Sequence, residues 1–256
     1  MTSIIGVIPA RIASTRFPGK PRVPIRGAPM LEHVHRRARA CRAVSQVFVA
    51  KCDDEIAQAV HAFGGEVMMT SAAHERASDR VAEVASRIRA DIVVMVQGDE
   101  PLIRPEMIEA AVAAMIRDSS IGCVNLLGPI RSDGELQDRN TIKVVTTTDG
   151  RALFSSREPI PIAGNRVISA GAWCEHVCLI AFRRVALLCF ANLPRGQLQE
   201  LETIDMLRFL ENGLPVQVVL TGVETHAVDV PEDLNVVSSL LDRSPWPTPC
   251  SAEPIS

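Results

Sequence analysis

The sequence contains no tyrosine and only three lysines, Lys20, Lys51 and Lys143, so 24 of its 27 basic residues are arginine. Such a bias reflects coding composition more than folding, and it makes each lysine a position to account for. No run of about 18 apolar residues is present, which excludes a membrane-spanning helix. The formal net charge is −3, so there is no basic stripe of the kind that reads nucleic acid. The opening Met1–Arg11 has neither the basic start nor the long apolar core of a secretion signal, and a cytoplasmic protein is expected. Seven cysteines are scattered singly through the 256 residues; their odd number predicts reduced, packed thiols. Cys174-x-His176-x-Cys178 lacks a second ligand pair and reads as one face of a strand. Internal repeats are absent.

What is present is an ordinary globular composition, 47% apolar and 22% charged, over a length that buries a real core. The apolar run Ile4–Pro9 reads as a buried parallel strand. A polar loop over 10–28 leads to a helix opened by Pro29. Strand 46–50, helix 53–63 with Asp53 as N-cap, strand 66–69, helix 79–89, strand 91–96, helix 105–117 and strand 121–126 follow. This alternation predicts an α/β fold, a mostly parallel sheet with helices on both faces. From 128 to 195 the rhythm changes, with strands at 142–147 and 177–182, and the segment reads as an insertion completing a second subsite or a subunit contact. Helix 200–210, strand 216–220 and helix 231–241 complete a single domain over 1–243. The tail 244–256, with four prolines, is expected to fray.

Open α/β sheets bind ligands beyond the carboxyl ends of their strands. The first such end carries Pro9-Ala10-Arg11-Ile12-Ala13-Ser14-Thr15-Arg16-Phe17-Pro18-Gly19-Lys20-Pro21. Arg11, Arg16 and Lys20 supply charge, Ser14 and Thr15 hydroxyls, and Gly19 lets a backbone come close. These are the ingredients for gripping a triphosphate; the plain alternative is a solvated basic loop. The run is not a Walker A loop, because Pro21 stands where Ser or Thr should follow the lysine. Gln97-Gly98-Asp99-Glu100-Pro101 ends the most apolar strand on the same sheet edge. A second carboxylate, Asp229, precedes the last long helix. Alone it reads equally as a helix cap; with Asp99 it makes the carboxylate pair that Mg²⁺ takes alongside substrate phosphates.

The chain resembles the 3-deoxy-manno-octulosonate (Kdo) cytidylyltransferases in PARxxSTRxPGKP (9–21), VQGDEP (96–101), SRxPIP (156–161) and VDxPEDL (228–234). The resemblance implies a Rossmann-like nucleotide-diphospho-sugar transferase fold, a homodimer, and Mg²⁺-dependent transfer of CMP from CTP to a small acidic acceptor with loss of pyrophosphate. It implies Pro9, Ala10, Arg11, Ser14, Thr15, Arg16, Lys20, Arg76, Ser78 and Gln97 at the nucleotide. Asp99 and Asp229 would hold metal, and Arg157, His176, Glu202 and Asp205 the acceptor, with Arg11, Lys20 and Asp99 central to the chemistry.

Three stretches depart from the family pattern. His-x-Ser-Gly-Thr-Asp/Glu-Arg reads here His74-Glu75-Arg76-Ala77-Ser78-Asp79-Arg80. His-Ile-Gly-Ile-Tyr-x-Tyr-Arg reads His176-Val177-Cys178-Leu179-Ile180-Ala181-Phe182-Arg183. Glu-x-Leu-Glu-Gln-Leu-Arg reads Glu202-Thr203-Ile204-Asp205-Met206-Leu207-Arg208. The last two remove hydroxyl and amide donors, and each unsatisfied buried hydroxyl costs about 1–3 kcal/mol. The reading therefore keeps the transfer chemistry and leaves the acceptor open between a Kdo-like sugar acid and a phosphonate of an antibiotic pathway. Use of UTP or ATP, or a non-catalytic nucleotide-binding regulatory role, are the further alternatives; loss of Lys20 or Asp99 would have favoured the regulatory one.

Overall fold

The computed structural model describes residues 2–12, 17–162 and 173–243. The first strand, β1 (Ile4–Pro9), is followed by a short 3-10 turn at Lys20–Arg22 and a small hairpin, β2 (Pro24–Ile25) and β3 (Ala28–Pro29). Then come α1 (Met30–Arg39), β4 (Gln46–Lys51), α2 (Asp54–Ala62), β5 (Glu66–Met69), α3 (Ala77–Arg87), β6 (Ile92–Val96) and α4 (Pro105–Arg117). The second half comprises β7 (Cys123–Pro129), α5 (Asp133–Gln137), β8 (Lys143–Thr146), β9 (Ala152–Ser156) and β10 (Cys174–Arg183). It closes with α6 (Arg184–Asn192), α7 (Gln197–Glu202), α8 (Leu207–Glu211), β11 (Gln217–Leu220) and α9 (Asp233–Arg243).

The main sheet runs β11-β7-β10-β6-β1-β4-β5, with β8 paired to β10 and β9 to β8. β1, β4, β5 and β6 are mutually parallel, as are β7 and β11. The expected α/β architecture is thus present, but the segment from 128 to 195 is no appendage to it. β10 lies antiparallel between β6 and β7 in the middle of the sheet. It is longer than the 177–182 strand the sequence predicts, and it carries its flanking polar residues into the sheet.

Strand periodicity sorts the core onto two faces. Ile4, Ile8, Ile92, Val94 and Val96 pack with α1, α2 and α4 residues such as Val34, Ile56 and Met107. Ile5, Val7, Val93 and Met95 pack on the other face with Val81, Val84, Leu187 and Phe209. Covered on both faces, the strands need no polar alternation.

The single helix expected over 200–210 is broken into α7 and α8. Thr203 adopts φ 56°, a left-handed conformation uncommon for a β-branched residue, and residues 203–206 form a turn. The bonds that hold this turn come from distant parts of the chain. No described helix is long and apolar enough to cross a membrane.

Candidate functional site

The loops after β1 and β6 meet side by side. Gly19 takes φ 72°, a turn glycine makes without strain, and delivers Lys20 to the sheet edge. There Lys20 Nζ donates to Asp99 Oδ2 at 2.7 Å and to the Val228 carbonyl at 2.8 Å, with Asp229 Oδ1 at 3.8 Å. A side chain at Gly98 would press on the Pro9 carbonyl at 3.1 Å, so glycine is what lets these two loops approach. The β1 loop is braced from below: Asp53 Oδ2 accepts from the Ile12 N–H at 3.2 Å, and Lys51 Nζ donates to the Asp53 carbonyl at 2.7 Å. Asp53 therefore braces the loop and does not cap α2 with its side chain, as its position had suggested. Ser14, Thr15 and Arg16 lie outside the described residues.

Asp99 and Asp229 face one cavity of about 340 Å³, and their loops are tied where the Val228 N–H donates to the Asp99 carbonyl at 2.9 Å. Asp99 Oδ1 is buried with no protein partner. Among the described residues no group of three His, Cys, Asp or Glu is arranged to hold a metal by itself. The donor set fits a hard cation completed by phosphate oxygens: two carboxylates, one with an unsatisfied buried oxygen. Behind them Glu100 is buried with Oε2 unpartnered. Its pKa is pushed up to about 8, first by burial and then by the charges of Asp99 and Glu175. Burial likewise holds the Cys178 thiol well above its usual range.

On the β9–β10 side, Arg157 follows β9. Its Nε donates to the Glu202 carbonyl at 2.9 Å and to Thr203 Oγ1 at 3.3 Å, and its Nη1 to the Arg139 carbonyl at 2.8 Å. The Glu202 carboxylate accepts from Ser156 Oγ at 2.8 Å and from the Arg157 N–H at 2.9 Å. Lys143, fully buried, donates to the Arg157 carbonyl at 3.0 Å and to the Asp138 carbonyl at 2.6 Å. All three lysines of the chain thus hold main-chain carbonyls around this site. His176 on β10 is held neutral, its pKa lowered to about 4 by burial and then by Arg157. Across the cavity, Asp205 accepts a short bond from Ser78 Oγ and a 3.3 Å bond from the Ser78 N–H at the start of α3, with Arg76 Nε at 3.9 Å.

Of the residues singled out in the sequence, Pro9, Ala10, Arg11, Lys20, Arg76, Gln97, Asp99, Arg157, His176, Asp205 and Asp229 line this one cavity. Ser78 and Glu202 do not; their side chains are spent on Asp205 and on the 156–157 backbone segment. Arg76 points to Asp205, so its charge is partly used inside the protein. The wall also contains Ile180 and Met206, two of the departures that the sequence reads as lost acceptor donors, and Cys178, which it does not single out. The signal for Cys178 existed: 176, 178 and 180 alternate along β10, so a strand that presents His176 presents the others too. Phe182, the next in that series, is outside the cavity, packed on Phe209 at 6.2 Å between ring centroids. Its lost phenol is therefore no lost cavity donor.

The cytidylyltransferase family matches residues 5–220. The chain is 45% identical over 249 residues to the 3-deoxy-manno-octulosonate cytidylyltransferase of Geobacter metallireducens, covering 94% of this chain and 98% of that protein. It is 46% identical to the protein of the same name in Geobacter sulfurreducens, covering 92% and 98%. The fold superposes on a CMP:2-keto-3-deoxy-manno-octonic acid synthetase complexed with CTP, with TM-score 0.86, 37% identity and coverage of 94% and 99%. A 4-diphosphocytidyl-2C-methyl-D-erythritol synthase from Anaerococcus prevotii shares the fold alone, at TM-score 0.65 and 13% identity over 94% and 99%.

Proposed function

The chain belongs to the cytidylyltransferase family, and from that premise we propose that it transfers CMP from CTP to the oxygen of a Kdo-like sugar acid, with Mg²⁺ bound and pyrophosphate leaving. It is a CTP-dependent nucleotidyltransferase; acceptor, metal and leaving group are the proposal. The observation that carries it is Asp99 Oδ1, buried and partnerless in the same cavity as Asp229, Lys20, Arg157 and His176. A homodimer, implied by the resemblance, belongs to the same proposal.

In this reading an acceptor oxygen attacks the α-phosphorus in line. The new P–O bond forms as the bond to the β-phosphate oxygen breaks, and the acceptor proton passes to solvent. Arg11 and Lys20 hold the phosphates and offset charge that spreads toward the leaving group. Asp99 and Asp229 would hold Mg²⁺, which when bound offsets phosphate charge and orients the phosphates. Arg157, fixed by Glu202 and Thr203, takes the acceptor's acidic group. His176, neutral at working pH, offers one donor and one acceptor without adding charge. A second reading, a phosphonate acceptor, is favoured by Ile180 and Met206, which put apolar surface where a polyol wants hydrogen bonds.

The test is pyrophosphate release with CTP and Mg²⁺, with Kdo beside a panel of small phosphonates. Release with Kdo is expected. Release only with a phosphonate would replace the acceptor and keep the chemistry; no release with any acid would overturn the proposal.

A further inference from the structure

Asp99 stands at the end of a central strand, but Asp229 reaches the cavity from an irregular loop between β11 and α9. An unbraced loop carboxylate would spend binding energy on being ordered. The loop is braced at three points. The Val228 N–H donates to the Asp99 carbonyl at 2.9 Å. Asp233, the first residue of α9, accepts from the Asp229 N–H at 2.7 Å and the Val230 N–H at 2.9 Å through one oxygen, Oδ2. Its other oxygen, Oδ1, lies 3.2 Å from His226 Nε2. Pro231 limits the remaining backbone freedom between them.

Resting on the cation reading above, we propose that Asp233 is a positioning residue, itself steadied by His226, that fixes the Asp229 backbone so that its carboxylate and that of Asp99 converge on one divalent cation. Capping α9 would account for the two N–H bonds alone. It does not account for the same loop being tied through Val228 to Asp99, which makes 228–233 a bridge from one carboxylate to the other. Asp233 touches neither cation nor substrate; it acts through Asp229.

The experiment is Mn²⁺ binding followed by electron paramagnetic resonance in the presence of CTP, on the full chain, with thermal midpoints recorded in parallel. Asp233→Ala is expected to weaken Mn²⁺ binding by about tenfold or more, the usual loss when a ligand's supporting partner is removed. Asp233→Asn keeps a carbonyl oxygen for both N–H groups and should bind within about threefold of wild type. His226→Ala should fall between the two and keeps the idea testable if Asp233→Ala fails to fold. Wild-type affinity in Asp233→Ala or in His226→Ala overturns the inference, as does Asp233→Asn binding as weakly as the alanine variant. A wild-type protein that binds no Mn²⁺ overturns the cation reading and this inference with it, whereas equal binding by all variants overturns this inference alone.

Discussion

On the β1–β6 side of the cavity a buried carboxylate oxygen, Asp99 Oδ1, has no partner in the protein. On the β9–β10 side both oxygens of Glu202 are paired within the chain, as are both of Asp205 across the cavity from it. A buried unpaired acceptor costs free energy unless something satisfies it, and in the proposed reading a bound cation satisfies this one. Glu202 and Asp205 are already spent within the chain: they hold Arg157, Arg76 and α3 in place, and in the proposed reading leave the acceptor to meet arginine, neutral imidazole and apolar side chains. In that reading one side specifies chemistry and the other shape.

The comparison breaks most sharply at Asp99. Asp99→Ala should lower turnover by about a thousandfold or more, since in the proposed reading it removes one of the two carboxylates that would hold the cation at the phosphates. Folding should survive, because Lys20 keeps the Val228 carbonyl and Asp229 nearby. Initial rates of pyrophosphate release beside a thermal melt decide it. A near-normal rate with Mg²⁺ would remove the distinction between the two sides.

The β9–β10 side sharpens through Met206, whose sulfur lies 3.7 Å from Cys123 Sγ in the core while the residue lines the cavity. Met206→Gln supplies an amide to the wall and should raise kcat/KM for Kdo by about three- to tenfold, the worth of one ordinary hydrogen bond. Phe182→Tyr should leave that ratio unchanged and cost about 1–3 kcal/mol of stability, because its hydroxyl would enter a fully buried aromatic cluster. If Met206→Gln changes nothing, shape on this side is set elsewhere, with Ile180 the next position to vary.

Legibility in the sequence divides along the same line. Ile4–Pro9 and Ile92–Val96 announce buried strands by composition alone, and a loop after a strand end is where an α/β sheet binds ligands, so the β1–β6 side followed from local signals. The other side did not, since its determinants are pairings across the fold. The apolar spacing of 200–210 reads as one helix. Glu202 is drawn to the 156–157 segment and Asp205 to Ser78, and satisfying both opens the turn at Thr203. Nothing near Cys174–Arg183 in the sequence states that the strand lies antiparallel between β6 and β7. Asp53 reads as a cap because caps are local; its partner, Ile12, is 41 residues away.

A change read only through pH isolates His176. Its folded pKa of about 4 lies below the reference value of 6.5, so between those values the unfolded chain binds a proton that the native histidine refuses. Stability from this group is complete above pH 6.5 and is lost as pH falls toward 4. Glu175, pushed up to about 7 by burial and then by Glu135, acts in the opposite sense: its contribution is complete below about pH 4.5 and is lost as pH rises through 7. The two oppose each other across mildly acid pH, so the whole-protein curve hides both. His176→Gln keeps a neutral polar group and removes only the histidine term. From pH 6.5 to 4 the wild type should lose more stability than this variant, by up to about 3 kcal/mol, measured by denaturant titration at each pH. Parallel curves would mean that His176 is already wet enough to protonate in the native state, and that the β9–β10 side is less closed than its paired carboxylates imply.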